Sequence, residues 1–121
     1  MKVFSAIVKY SKVLQEVDFS RNPLKDEGVA EISRTMRRNR GLQVLKLSSV
    51  GLTDASALNL NYSLSYNLFL RVLDISNNRF STSGIGKILP ALDKGINDSL
   101  VCLNIENNDL EWNIYSMINN T

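Results

Sequence analysis

One motif is written four times along this chain at nearly constant spacing. The copies are Leu14, Val17, Phe19, Asn22, Leu24; Leu42, Leu45, Leu47, Val50, Leu52; Leu70, Leu73, Ile75, Asn78, Phe80; and Leu100, Leu103, Ile105, Asn108, Leu110. Their first positions step by 28, 28 and 30 residues, a period that belongs to a stacked array rather than to a closed globular core. A single coil of this size cannot bury its apolar side alone, so each must be covered by its neighbours. The period divides one domain into 1–13, the helix half of a preceding coil, then coils 14–41, 42–69 and 70–99 and an incomplete 100–121.

Each copy predicts a short strand followed by a helix. Val17 and Phe19 flank Asp18, Leu45 and Leu47 flank Lys46, Leu73 and Ile75 flank Asp74, and Leu103 and Ile105 flank Asn104. This alternation sends the apolar members to one side of four parallel strands. Asn22, Asn78 and Asn108 follow where the chain turns inward, with amides able to satisfy turn backbone; Val50 interrupts that column, so the second turn must lean on its neighbours or shift its backbone. Helical spacing then takes over at Val29, Ile32 and Met36, at Ala57, Leu60 and Leu64, and at Ile85, Ile88 and Leu92. Asp26, Asp54 and Thr82 read as helix caps, and Asn39, Asn67 and Gly95 as left-handed stops. The two extra residues of the third copy fall after Gly95, in Ile96, Asn97, Asp98 and Ser99.

Composition narrows the functional classes. A net charge of +2 is too small for a nucleic-acid footprint, so no nucleic-acid partner is expected. The chain has no His and a single Cys102, which removes the commonest general base and any internal disulfide and favours a cytoplasmic setting. Cys102 itself reads as a small, half-buried strand residue. No apolar stretch approaches membrane-spanning length, and the N-terminal run is broken by Lys9 too soon for a secretory signal. Phosphate loops, paired cysteines and nucleophile–base pairs are all missing, so no catalytic residue, cofactor or metal is predicted.

The pattern LxxLxLxxNxL, a small residue at Gly28, Ser56 or Gly84 four positions after the last leucine, and the helix behind it resemble the ribonuclease-inhibitor-like class of leucine-rich repeats. That class includes ribonuclease inhibitor, the GTPase activator for Ran, the NOD-like receptors, tropomodulin and the CARMIL actin regulators. The phrases Leu73 to Asn78 and Leu45 to Thr53 look similar to CARMIL. The resemblance implies an α/β, right-handed leucine-rich-repeat solenoid with a short parallel β-sheet on the concave face and helices on the convex face. It implies a non-enzymatic module that binds another protein, with actin regulation or assistance to a small GTPase as narrower alternatives. Ile114 departs from the small-residue column.

Solenoids need polar terminal caps, yet Phe4, Ile7, Val8, Trp112, Ile114, Met117 and Ile118 fall at the ends. The expectation is a piece of a longer array, or association through exposed ends. If each end bares about 300 Å² of apolar surface, the unrealised burial is about 7 kcal/mol per end.

The outward strand positions form the expected partner-binding sheet. Its columns are Glu16, Val44, Val72 and Cys102; Asp18, Lys46, Asp74 and Asn104; Ser20, Ser48, Ser76 and Glu106; and Arg21, Ser49, Asn77 and Asn107. Lys46 stands between Asp18 and Asp74 and is expected to neutralise them as an exposed ladder worth well under ~1 kcal/mol per pair. Arg34, Arg37, Arg38 and Arg40 crowd the end of the first complete helix, where cations suit its dipole, and read as a solvated convex face, with an acidic protein or an anionic membrane surface as the alternative partner.

Overall fold

The structure, a computed structural model, describes residues 13–93 and 95–111. Expectations about the two ends therefore concern residues outside the described part. Within it the order is β1 (Glu16–Asp18), α1 (Lys25–Met36), β2 (Val44–Lys46), α2 (Ala57–Tyr66, entered through a 3-10 turn at Asp54–Ser56), β3 (Val72–Asp74), α3 (Thr82–Ile88, continued as a 3-10 turn at Leu89–Leu92) and β4 (Cys102–Asn104). All four strands are parallel and lie in chain order, with Val17, Leu45, Leu73 and Leu103 side by side. The ladder runs one residue past the strands through Phe19 N–H to Lys46 C=O, Leu47 to Asp74 and Ile75 to Asn104.

The core is the predicted one. Leu45, Leu47, Leu73 and Ile75 from the strands meet Val29, Ile32, Met36, Ala57, Leu60, Leu64, Ile85 and Ile88 from the helices, all buried in one cluster; Leu92 packs at its margin. Pro90 has no N–H for a helical ladder, and α3 gives way to the tighter turn beside it.

The helix-start expectation needs correcting. Asp26 and Asp54 do not cap their own helices; they reach to the next coil. Asp26 accepts hydrogen bonds from Thr53 N–H (3.0 Å), Thr53 Oγ1 (2.7 Å) and Ser56 Oγ (2.5 Å). Asp54 accepts from Ser81 N–H (2.8 Å) and Ser81 Oγ (2.5 Å), and Thr82 Oγ1 from Glu111 N–H (2.7 Å). The capping oxygens belong instead to Thr53 and Ser81, which accept from Ala55 N–H and Gly84 N–H. This explains the small residue at Gly84, where a Cβ would fall 1.9 Å from Asp54 Oδ1; at Gly28 a Cβ would instead meet Leu24 at 3.0 Å. Partial burial pushes the Asp26 carboxyl upward, but the hydrogen bonds from Ser56 and Thr53 outweigh it and hold the group below the ordinary carboxylate range.

The helix-stop expectation is also corrected. Gly95 is left-handed at φ +92°, whereas Asn67 is extended at φ −88°, and Asn39 is likewise absent from the left-handed residues. The asparagines work through their side chains. Asn67 Nδ2 donates to Met36 and Asn39 C=O while its Oδ1 accepts from Phe69 and Leu70 N–H. Asn97 repeats the pattern one coil later, donating to Leu64 and Asn67 C=O and accepting from Ser99 and Leu100 N–H. Asn97 is thus the true counterpart of Asn67, and the two extra residues lie before it rather than after Gly95.

The first asparagine column behaves as expected and explains how Val50 is tolerated. Asn78 Oδ1 accepts from Val50, Gly51 and Leu52 N–H of the preceding turn, so that turn is served by its neighbour. Val50, fully buried, cannot do the same for the turn before it. There Pro23 presents no N–H, Leu24 N–H bonds Asn22 C=O, and Lys25 takes φ 58° to reach Val50 C=O.

Candidate functional site

The strands bring the predicted columns into one surface. Glu16 pairs with Val44, which pairs with Val72 and then Cys102; Asp18, Lys46, Asp74 and Asn104 align in the same way. Asp18, Asp74 and Asn104 each turn Oδ1 back to accept the N–H two residues on, from Ser20, Ser76 and Glu106. The expected Asp–Lys–Asp ladder is therefore replaced. With those carboxylates turned to the backbone, Lys46 Nζ sits 3.3 Å from Glu16 Oε1 on the neighbouring strand, and both side chains remain well exposed. Hydrogen bonds from the Ser20 side chain and N–H, with the nearby charges of Lys46 and Arg21, hold the Asp18 carboxyl below its usual range. Cys102 is exposed rather than half-buried; among the described residues no strand lies beyond β4 to cover it.

One residue of each coil, Arg21, Ser49, Asn77 and Asn107, is left-handed at the end of its strand, with φ between 54° and 64°. That shared bend aligns a polar rim. Ser48 N–H donates to Ser20 Oγ, Ser76 Oγ to Ser48 Oγ, Asn77 Nδ2 to Ser48 Oγ and Asn107 Nδ2 to Asn77 Oδ1. Ser76 is buried by this ladder and offers little to a partner, whereas Asn77, Glu106 and Asn107 stay exposed. Val44 and Val72 are half-buried, giving a narrow apolar strip beside the charges. Among the described residues no cluster of His, Cys, Asp or Glu could hold a metal ion, and no helix is long and apolar enough to cross a membrane.

The helix face differs from a plain solvated surface. Arg34 pairs with Glu31 at 2.6 Å, and Arg38 and Arg40 are exposed, but the Arg37 guanidinium lies 4.7 Å over the Tyr62 ring. Tyr62 meets Tyr66 edge-on at 4.9 Å. Leu58, Tyr62 and Tyr66, spaced by four on α2, are 67%, 49% and 61% exposed. Sequence reading placed Leu60 and Leu64 in the core but missed this second stripe. Its signal was present: no charged residue occurs between Asp54 and Arg71.

Comparison with known proteins agrees with this geometry. The "Leucine Rich repeat" family model matches residues 10–33 and 66–89. The fold is a leucine-rich-repeat fold of parallel strands and helices, and the chain is similar to the ribonuclease-inhibitor-like class of such repeats. It is 33% identical over 90 residues to mouse ribonuclease inhibitor, a match covering 74% of this chain and 20% of that protein. Human NACHT, LRR and PYD domains-containing protein 5 is 33% identical over 88 residues, which cover 72% of this chain and 7% of the relative. The chain therefore spans a fifth or less of these relatives. Among solved structures, leiomodin-1 actin-binding site 2 superposes with TM-score 0.79 at 21% identity, over 86% of this chain and 60% of that one. The tropomodulin C-terminal domain of Caenorhabditis elegans gives 0.72 at 12%, over 98% and 89%.

Proposed function

We propose that this chain is a non-catalytic, cytoplasmic interaction module that binds another protein through the sheet face. The observation that carries this reading is the four-stranded, in-register sheet whose outer columns present Glu16, Asp18, Lys46, Asp74, Asn77 and Glu106 on a rim already fixed by hydrogen bonds. Preorganised polar groups around a half-buried valine strip lose little side-chain entropy on association. Because the Lys46–Glu16 pair is exposed, reversing Lys46 to Glu removes little stability while inverting the charge a partner meets. The expected result is partner capture weakened about tenfold by Lys46→Glu with an unchanged melting temperature, and weakened likewise by Asp74→Lys with a slightly lower one, because that change also removes the hydrogen bond from Ser76 N–H. Capture that survives both substitutions removes the sheet as the binding surface.

A second reading is regulation of actin filament assembly, supported by fold likeness to a structure described as an actin-binding site. Adding the purified chain to polymerising labelled actin tests it. A changed nucleation or elongation rate that Lys46→Glu abolishes supports the reading, and unaltered assembly at saturating protein rejects it.

A further inference from the structure

We propose that the cleft between α1 and α2 on the helix face is a second binding site. Its ligand is a carboxylate side chain on an acidic, amphipathic peptide segment whose apolar residues lie along Leu58, Tyr62 and Tyr66. The cleft has a volume of about 260 Å³ and is lined by Ser33, Arg34, Arg37, Asn59 and Tyr62. Two of these hold enclosed polar atoms with no hydrogen-bond partner: Ser33 Oγ, on a residue 4% exposed, and Arg37 Nε. Enclosed donors without acceptors are costly, so a group that satisfies them gains what folding left unmade. Nε can only donate, and Ser33 Oγ can donate as well, so the group that satisfies both is an acceptor. Arg37 makes that acceptor anionic.

Tyr62 supplies the orientation. Its ring holds the guanidinium plane in place, leaving a planar fork suited to a planar carboxylate. Charge complementarity selects the rest of the ligand. Arg34, Arg37, Arg38 and Arg40 border a helix that carries no charge, and Glu31 on the same helix as Arg34 is engaged by it. The exposed stripe Leu58–Tyr62–Tyr66 extends roughly 12 Å along α2, a length that a helical segment matches with side chains at i, i+4 and i+8. An acid flanked by leucine or phenylalanine therefore meets both the cation and the stripe. A membrane surface uses the cations but not the enclosed serine hydroxyl, which favours the peptide.

Display of a random peptide library against the full chain, followed by fluorescence anisotropy with the enriched peptides, tests this. The expected peptides carry Asp or Glu beside Leu or Phe. Their affinity falls about tenfold with Arg37→Gln or Tyr62→Ala and about threefold with Ser33→Ala. Arg37→Lys, which keeps the charge and loses Nε, falls between wild type and Arg37→Gln. Circular dichroism melts establish that each variant is folded, and Ser33→Ala, which removes an unpaired hydroxyl, is expected to melt no lower than wild type. Lys46→Glu leaves peptide affinity unchanged, separating this site from the sheet face. The proposal is overturned if selection yields no acidic peptides, if affinity ignores Arg37→Gln, or if phosphatidylserine vesicles bind through Arg37 while peptides do not.

Discussion

Asparagine side chains in this protein serve the coil before their own. Asn78 makes six hydrogen bonds, three to N–H groups of the turn before it and three to carbonyls, and is 8% exposed. Asn78→Ala removes these bonds at once, leaving the Val50 and Leu52 N–H groups without this acceptor while Ile75 C=O keeps Asn108 Nδ2, and a loss of at least about 3 kcal/mol is expected in urea unfolding. A loss under 1 kcal/mol, on the order of a single exposed bond, would show that water replaces the amide. Gly84 and Gly95 separate space from conformation. At Gly84 a methyl group meets Asp54, so Gly84→Ala drives the carboxylate off Ser81 and is expected to cost about 2–3 kcal/mol. Around Gly95 there is open space and only the left-handed backbone resists, so Gly95→Ala is expected to cost about 1 kcal/mol.

At the scale of the element, each helix start is tied to its successor by the residue two past the turn. Asp26 fixes α1 to the 3-10 turn that opens α2, and Asp54 fixes that turn to α3. Asp26 and Asp18 both have folded-state pKa values held below the ordinary carboxylate range. A carboxyl depressed in the folded state stabilises fully above its unfolded value, near pH 4, and loses that contribution as pH falls through the folded value. Stability is therefore expected to decline below about pH 4. Asp26→Asn is expected to lower stability by about 1–3 kcal/mol at pH 7, with the gap to wild type narrowing toward pH 2. Melting curves of both proteins across that range provide the check, and a gap independent of pH would assign the effect to packing rather than charge.

Across the whole molecule, protection follows the number of neighbouring coils. Leu45, Leu47, Leu73 and Ile75 of the middle strands are at most 3% exposed, whereas Leu103 and Ile105 around β4 are only partly buried. In a stack held by nearest-neighbour contacts, amides of β2, β3 and α2 are expected to exchange with deuterium more slowly than those of β4. Uniform exchange across the four strands would mean that the array opens only as one unit. The two faces are also unequal in kind. The sheet face has its polar groups tied into a ladder, while the helix face leaves Arg37 and Ser33 with unpaired atoms beside an uncharged helix.

Periodicity alone determined the coil, its four parallel strands, the buried leucine rows and the outward columns, because a side chain's face follows from its position in a repeat of two or 3.6. The same counting found the helix starts and ends but misjudged what their polar residues do. Asp26, Asp54, Asn67 and Asn97 bond across coils, so their partners lie some thirty positions away, beyond any local capping rule. Stacking likewise decided that Lys46 meets Glu16 and that Arg37 lies on Tyr62. Such contacts depend on which rotamer each long side chain finds once its neighbouring coil is in place, and no local stretch of sequence contains both partners.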